Sequence, residues 1–248
     1  MKNRPLRTIE SQIRSAAKEL RSYEPKIMGW EKPARSIAGL IVPTLCSDAD
    51  AIAQYVEGVL NAPIKLRALW NDMRKSSNAS PETLQEFDTQ LELDDVLRET
   101  VTGETISKVF TRSLLQRHPQ LRCNGSSDYP DIYDSSHDYS RLPLFTRSNA
   151  AKYGAARKGK LQHPVRVPDG IEIKTCRKNL RVDCHHPHAG LHVILLYTES
   201  NRLFCVTDIQ VGFLTTHDYR ESNRNTTSTT VKYSFGGERF VSVMHPFQ

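Results

Sequence analysis

The hydrophobic period of this chain changes near residue 120, and that change limits the folds open to it more than any other feature. Before it, apolar residues recur at helical spacing. In RTIESQIRSAAKELRSYE (7–24) they fall at 9, 13, 16, 17 and 20, one stripe of a helix. Past the proline- and glycine-punctuated stretch from Pro25 to Pro43, SDADAIAQYVEGVLN (47–61) reads as a second helix, with Ser47 as its N-cap and acids in its first turn. SPETLQEFDTQLELDDVLRET (80–100) opens on a Ser80-Pro81 start signal, and TGETISKVFTRSLLQRHP (102–119) is a further amphipathic helix stopped by Pro119. After residue 120 the pattern shortens. GIEIKTC, GLHVILLYT, RLFCVTDIQVGFL, TTVKYSF and RFVSVMH are rich in Val, Ile, Phe and Tyr and are separated by turn residues, with TESNR as a hairpin connection between the second and third. Helices followed by strands suit an α/β or α+β domain built on a central sheet; the fold we expect is α/β, a mixed central sheet flanked by helices. We expect one domain over 1–248, mainly helical over 1–120 and sheet-rich over 121–248.

A chain of 248 residues can bury a sizeable core without needing two domains. No run is expected to reach the roughly 18 apolar residues of a bilayer span, so no membrane partner is expected. The first twenty residues lack the apolar stretch of a secretory signal, which gives a cytoplasmic expectation. Five cysteines, odd in number and without a CxxC spacing, suit reduced thiols.

Charge is unevenly placed. Between Arg141 and Val182 there are eleven Lys or Arg and two acids, a net of +9, so the other 206 residues carry −3. Such a basic segment on a slightly acidic remainder is the footprint of a polyanion partner. In the overlapping stretch 131–160, Tyr133, Tyr139, Phe145 and Tyr153 alternate with cations, a composition suited to nucleic acid. The expected DNA contacts are Arg141, Arg147, Lys152, Arg157, Lys158, Lys160, Arg177, Lys178 and Arg181, with Arg220 and Arg224 on a second polar loop.

The chemistry centres on DGIEIKTCRK (169–178). Side chains two apart on a strand share a face, so Glu172 and Lys174 stand together while Ile171 and Ile173 point the other way. The plain alternative is an amphipathic edge strand carrying a salt pair. A hard divalent cation needs one or two carboxylates, and phosphodiester hydrolysis needs a cation beside them to orient water and offset growing charge. Pro130-Asp131 followed by Glu172-Ile173-Lys174 resembles the P-D…(D/E)-x-K signature of the restriction-endonuclease-like nucleases. The resemblance spans roughly residues 104–210. It implies a Mg²⁺-dependent, sequence-specific double-strand DNA endonuclease of the type II restriction kind, leaving 5′-phosphates and acting as a homodimer on palindromic sites. Asp131 and Glu172 would hold Mg²⁺, Lys174 would activate water, and Glu104 would assist at the metal. Asp169, in the turn entering the same strand, is offset by an odd number from Glu172; Asp131 is therefore the expected first acid, with Asp128 and Asp134 as alternatives. Glu172 follows Asp131 by 41 positions, more than is typical of the family, and the basic segment fills that gap as an insertion that would embrace DNA.

Other patterns point to fewer activities. DCHHPHAGLH holds Cys184, His185, His186, His188 and His192 in one dense cluster without a second pair, which does not suit structural zinc. A ββα-metal nuclease would need a helix after the paired histidines, and a strand follows instead. His185, His186 and His188 are expected to meet phosphates or base edges. No G-x-S-x-G elbow, Walker loop or Rossmann glycine pattern is present. Two rivals stand beside the restriction reading: a repair or junction nuclease of the same fold, and a non-enzymatic basic DNA-binding module.

Overall fold

The computed structural model describes residues 4–23, 30–76, 103–123, 130–136, 170–177, 180, 183–184, 190–200, 203–214, 218–221, 229–231 and 239–244. Among these residues three helices come first: α1 (Arg4–Tyr23), α2 (Glu31–Ser76) and α3 (Gly103–Arg117). The strands follow as β1 (Leu121–Cys123), β2 (Ile132–Asp134), β3 (Ile171–Arg177), β4 (Asp183–Cys184), β5 (Gly190–Ser200), β6 (Leu203–Leu214), β7 (Tyr219–Glu221), β8 (Thr229–Val231) and β9 (Val241–Ser242). Six of them form a mixed sheet in the order β1-β2-β3-β5-β6-β9, in which β3 and β5 run parallel and the other neighbours antiparallel. A smaller antiparallel sheet has the order β4-β8-β7. The chain is thus mixed α/β, with helices ahead of strands. The helix expected over 80–100 lies outside the described residues.

One face of the large sheet carries the helices. Ile171, Ile173, Leu191, Val193, Leu195, Ile209, Val211 and Phe213 point into a core with Ile9 and Ile13 of α1, Ile37 and Ile41 of α2, and Ile106 and Phe110 of α3. Trp30 stacks on Phe213 with ring centroids 6.0 Å apart. The opposite face has its own smaller cluster, in which Cys176, Ile194, Leu196 and Leu214 are covered by Leu180 and Phe240.

The second helix corrects two expectations. It does not start at Ser47 but runs unbroken through Pro33, Gly39 and Pro43. Its buried stripe of Ile37, Ile41, Leu45, Ile52 and Val56 outweighs the local breakers. Pro33 falls in the first turn, where a missing N–H costs nothing. Pro43 and Gly39 lie on the exposed side, where water can meet the Gly39 carbonyl that Pro43 cannot. Ser47 donates instead to the Thr44 carbonyl at 3.2 Å. Residues 31–62 are also long and apolar enough to qualify by composition as a membrane-crossing helix, contrary to expectation. That apolar side is the core stripe just described.

Among the described residues, strand β6 pairs with β9 only at Gln210 and Val211, so most of its outer edge has no described strand beside it. Helix side chains take that place. The Asn61 amide donates to the Phe204 carbonyl and accepts from the Phe204 N–H, both at 2.8 Å. Glu57 accepts from the Val206 N–H at 2.6 Å, and Gln12 accepts from the Phe213 N–H at 2.9 Å. Each of these edge groups therefore finds a partner without another strand.

Candidate active site

The candidate centre is built on the second and third strands of the large sheet. Ile132 pairs with Ile171 in antiparallel register, and continuing that register by one residue sets Asp131 opposite Glu172. The approach is tight. A Cβ on Gly170 would lie 2.2 Å from Pro130 Cβ and 2.5 Å from its Cγ, so the proline ring sits where a side chain would otherwise stand. The Pro-Asp pair thus has a local physical basis: Pro130 seats on Gly170, and Asp131 is delivered beside Glu172. Asp131 Oδ2 accepts the Ile173 N–H at 2.7 Å, which fixes the carboxylate against β3.

On β3 the alternation works as the sequence indicates. Ile171 and Ile173 enter the helix-covered core, while Glu172 and Lys174 share the other face, with Lys174 Nζ 2.5 Å from Glu172 Oε1. The strand is not an edge strand, because β2 and β5 flank it. Nor is the pair a surface salt bridge: the Glu172 side chain is only 7% exposed and that of Lys174 27%. A buried carboxylate of this kind is stable only with a close counter-charge or hydrogen bonds.

Electrostatics mark Asp131 further. Burial, and next the negative charge of Glu172, push its carboxyl up to about 7, opposed by the Ile173 hydrogen bond and the Lys174 charge. Two hard oxygen donors face one lysine, leaving an excess negative charge in a site largely closed to water. That donor set fits a cation such as Mg²⁺. Among the described residues no group of three or more His, Cys, Asp or Glu converges as a cage. A cation held here would take Asp131 and Glu172 from the protein and its remaining ligands from water or phosphate, the usual arrangement for Mg²⁺.

A third polar residue was not read from the sequence as part of this site. His192, on β5, pairs in register with Glu172 and is completely buried. Its neighbours Leu191 and Val193 face the helical core, so its ring lies on the Glu172 side of the sheet. Nδ1 lies 2.9 Å from the Gly190 carbonyl, so this nitrogen carries the proton and donates it. Gly190 has φ of 146°, a backbone conformation that only glycine adopts without strain. Burial drives the His192 ring down to about 4 and keeps it neutral, against the raising effect of Glu172. The one available signal was a histidine interrupting an apolar run, GLHVILL.

The other expected residues separate. Asp134 shares the Ile132 side of β2, away from Glu172, and its Oδ1 accepts the Ser136 N–H at 2.9 Å; it does not join the centre. Asp128 and Asp169 lie outside the described residues. Glu104 is in the first turn of α3, a helix that packs on the face opposite Glu172 through Ile106 and Phe110. Arg177, expected among the DNA contacts, also points to that opposite face, at the far end of β3, and pairs with Glu199 at 3.0 Å. Arg220 lies on β7, across from Thr230. Arg141, Arg147, Lys152, Arg157, Lys158, Lys160, Lys178, Arg181, His185, His186, His188 and Arg224 lie outside the described residues. No protein-family model matches this chain, and no curated protein or solved structure gives a significant match.

Proposed function

We propose that this chain is a Mg²⁺-dependent, sequence-specific endonuclease of double-stranded DNA, working as restriction enzymes do. The observation that carries the reading is the shared rung of Asp131 and Glu172 with Lys174 on the same face, Glu172 buried and the other two half-buried. Asp131 and Glu172 supply the carboxylates for the cation. When bound, Mg²⁺ supplies Lewis acidity to the scissile phosphate and charge stabilisation in the transition state. Lys174 orients the attacking water through its ammonium and offsets negative charge growing on the phosphorus oxygens. The Ile173 N–H holds Asp131 in place, so the acids are set before substrate arrives. Hydrolysis in line leaves a 5′-phosphate. The basic segment between the two acids supports DNA as the polyanion.

The test is cleavage of unmethylated plasmid and phage DNA by the purified chain, in Mg²⁺ and in EDTA, beside Lys174→Ala and Asp131→Ala. Discrete fragments that require Mg²⁺ and fall by at least about 100-fold in both variants are expected. Binding without cleavage under every metal condition would sink the enzymatic reading. Selective cutting of branched DNA would replace the restriction reading by a junction nuclease.

A further inference from the structure

Under the nuclease reading, on which this inference rests, an arginine near the end of the chain lies on the same sheet face as the acids. Glu172, His192 and Gly212 are successive register partners across β3, β5 and β6. Val211 and Phe213 enter the helical core, so the side-chain place of Gly212 opens on the Glu172 face. Another part of the chain fills it. A Cβ there would lie 2.5 Å from the Arg239 carbonyl oxygen and 2.7 Å from the Phe240 ring. Residues 239 and 240 therefore cross that face two strands from Glu172, roughly 10 Å away at the usual strand spacing.

Arg239 is held there at several points. The Gln12 amide donates to its carbonyl at 2.9 Å while accepting the Phe213 N–H, and Phe240 is seated in the cluster of Cys176, Ile194 and Leu214. Arg239 Nε donates to Asp218 Oδ1 at 3.0 Å; that carboxylate is buried, whereas the Arg239 side chain is 29% exposed. The charge of Asp218 reaches the His192 ring, as do those of Glu172 and Lys174, so this ion pair and the acids share one electrostatic neighbourhood. A buried carboxylate that takes Nε fixes the guanidinium plane and leaves the terminal amino groups as donors. Among the described residues nothing else bonds that guanidinium. We propose that Arg239 is a phosphate-binding residue of this site and Asp218 its positioning residue: the guanidinium takes a backbone phosphate of the bound DNA other than the one over the acids. Phosphates recur about every 3.4 Å of rise along a strand, so a duplex lying on this face brings one within reach. The planar fork of donors matches phosphate oxygens, and a contact of this kind sets the register of the DNA on the acids.

The test follows binding of a short mixed-sequence duplex to the full-length protein against salt, in EDTA, by fluorescence anisotropy. Arg239→Gln should weaken binding about tenfold and lower the log–log salt slope by roughly 0.9, the loss of one neutralised phosphate. Arg239→Lys keeps a cation and should hold the slope. Arg239→Gln also leaves Asp218 buried without its counter-charge, so the double variant Asp218→Asn/Arg239→Gln is run through the same series. Its net charge equals that of wild type, and its slope should fall as far as in the single variant. Mn²⁺ affinity without DNA, by calorimetric titration, should stay within about threefold of wild type in each variant, because the acids keep their places. An unchanged slope in the double variant overturns the proposal and leaves an ordinary ion pair, as does a loss of Mn²⁺ affinity that tracks the loss of DNA binding. Mg²⁺-dependent cleavage of plasmid DNA by the wild type is measured alongside. A wild type that cuts, with the slope unchanged in the variants, overturns this proposal alone; a wild type that cuts nothing overturns the nuclease reading and this proposal with it.

Discussion

Two carboxylates on one rung of a sheet do not titrate independently, and Asp131 shows the consequence. Its pKa is pushed up to about 7 by burial and by Glu172, so the folded protein holds a proton there more strongly than the unfolded chain, whose carboxyl loses it near 4. Below pH 4 both states are protonated and the group has no effect. Between 4 and 7 the unfolded state ionises first, so stability falls as pH rises, and the loss is complete above about 7. This is the reverse of a salt-bridged aspartate. Asp131→Asn keeps an acceptor for the Ile173 N–H and removes the charge. In EDTA it should melt roughly a few degrees above wild type at pH 8 and show little difference at pH 4.5. A variant less stable than wild type at both values would show that the carboxylate is not the strained group. The residues of this pair were legible in the sequence because Glu172 and Lys174 break an apolar alternation at a spacing that fixes their common face. His192 was not, because its place depends on β3 and β5 being parallel partners in a particular register, and no local pattern encodes that.

Among the elements, β6 shows how much a strand owes to helices distant in sequence. Asn61 meets both the N–H and the carbonyl of Phe204, groups that an edge strand would otherwise leave open. Asn61→Ala leaves two buried backbone groups unmet and should cost about 2–3 kcal/mol in denaturant unfolding. Replacing Val59, which is 44% exposed on the same helix, should cost under about 0.5 kcal/mol. Equal effects would mean that the amide contributes nothing beyond its volume. A similar test applies to Gly170. Gly170→Ala forces the Pro130 ring off β3 and should lower cleavage about tenfold or more while the helical core persists, measured by activity beside far-UV circular dichroism. The strands were readable from their period and composition, and β3, β5 and β6 appear where alternation and β-branched residues concentrate. The start of α2 was misread for a physical reason. Local signals at Pro43 and Ser47 describe what the backbone prefers in isolation, whereas a buried stripe extending from Ile37 to Val56 makes one continuous helix the better solution.

For the whole molecule, the charge imbalance is the quantity to test. If the segment from Arg141 to Arg181 lies along phosphates, replacing Lys152, Arg157, Lys158 and Lys160 together by alanine should weaken DNA binding. It should also flatten the dependence on salt, by roughly 0.9 in the log–log slope for each phosphate that is no longer neutralised. Mn²⁺ affinity should not move, because the acids lie on other residues. An unchanged salt slope would place the polyanion-binding surface elsewhere. Composition points to this partner class, but not to the bases it would meet, since readout depends on where individual side chains reach. The topology has a further consequence. Ile132 and Ile171 are neighbours in the sheet although 39 positions apart in sequence, so the intervening stretch departs from and returns to almost the same point. Doubling the length of such an excursion costs only about 0.6 kcal/mol in closure entropy. The Asp131–Glu172 pair and the stretch between its two acids are therefore separable in heredity. Insertions, deletions and exchanges there can change what a lineage meets while the paired acids remain where they were.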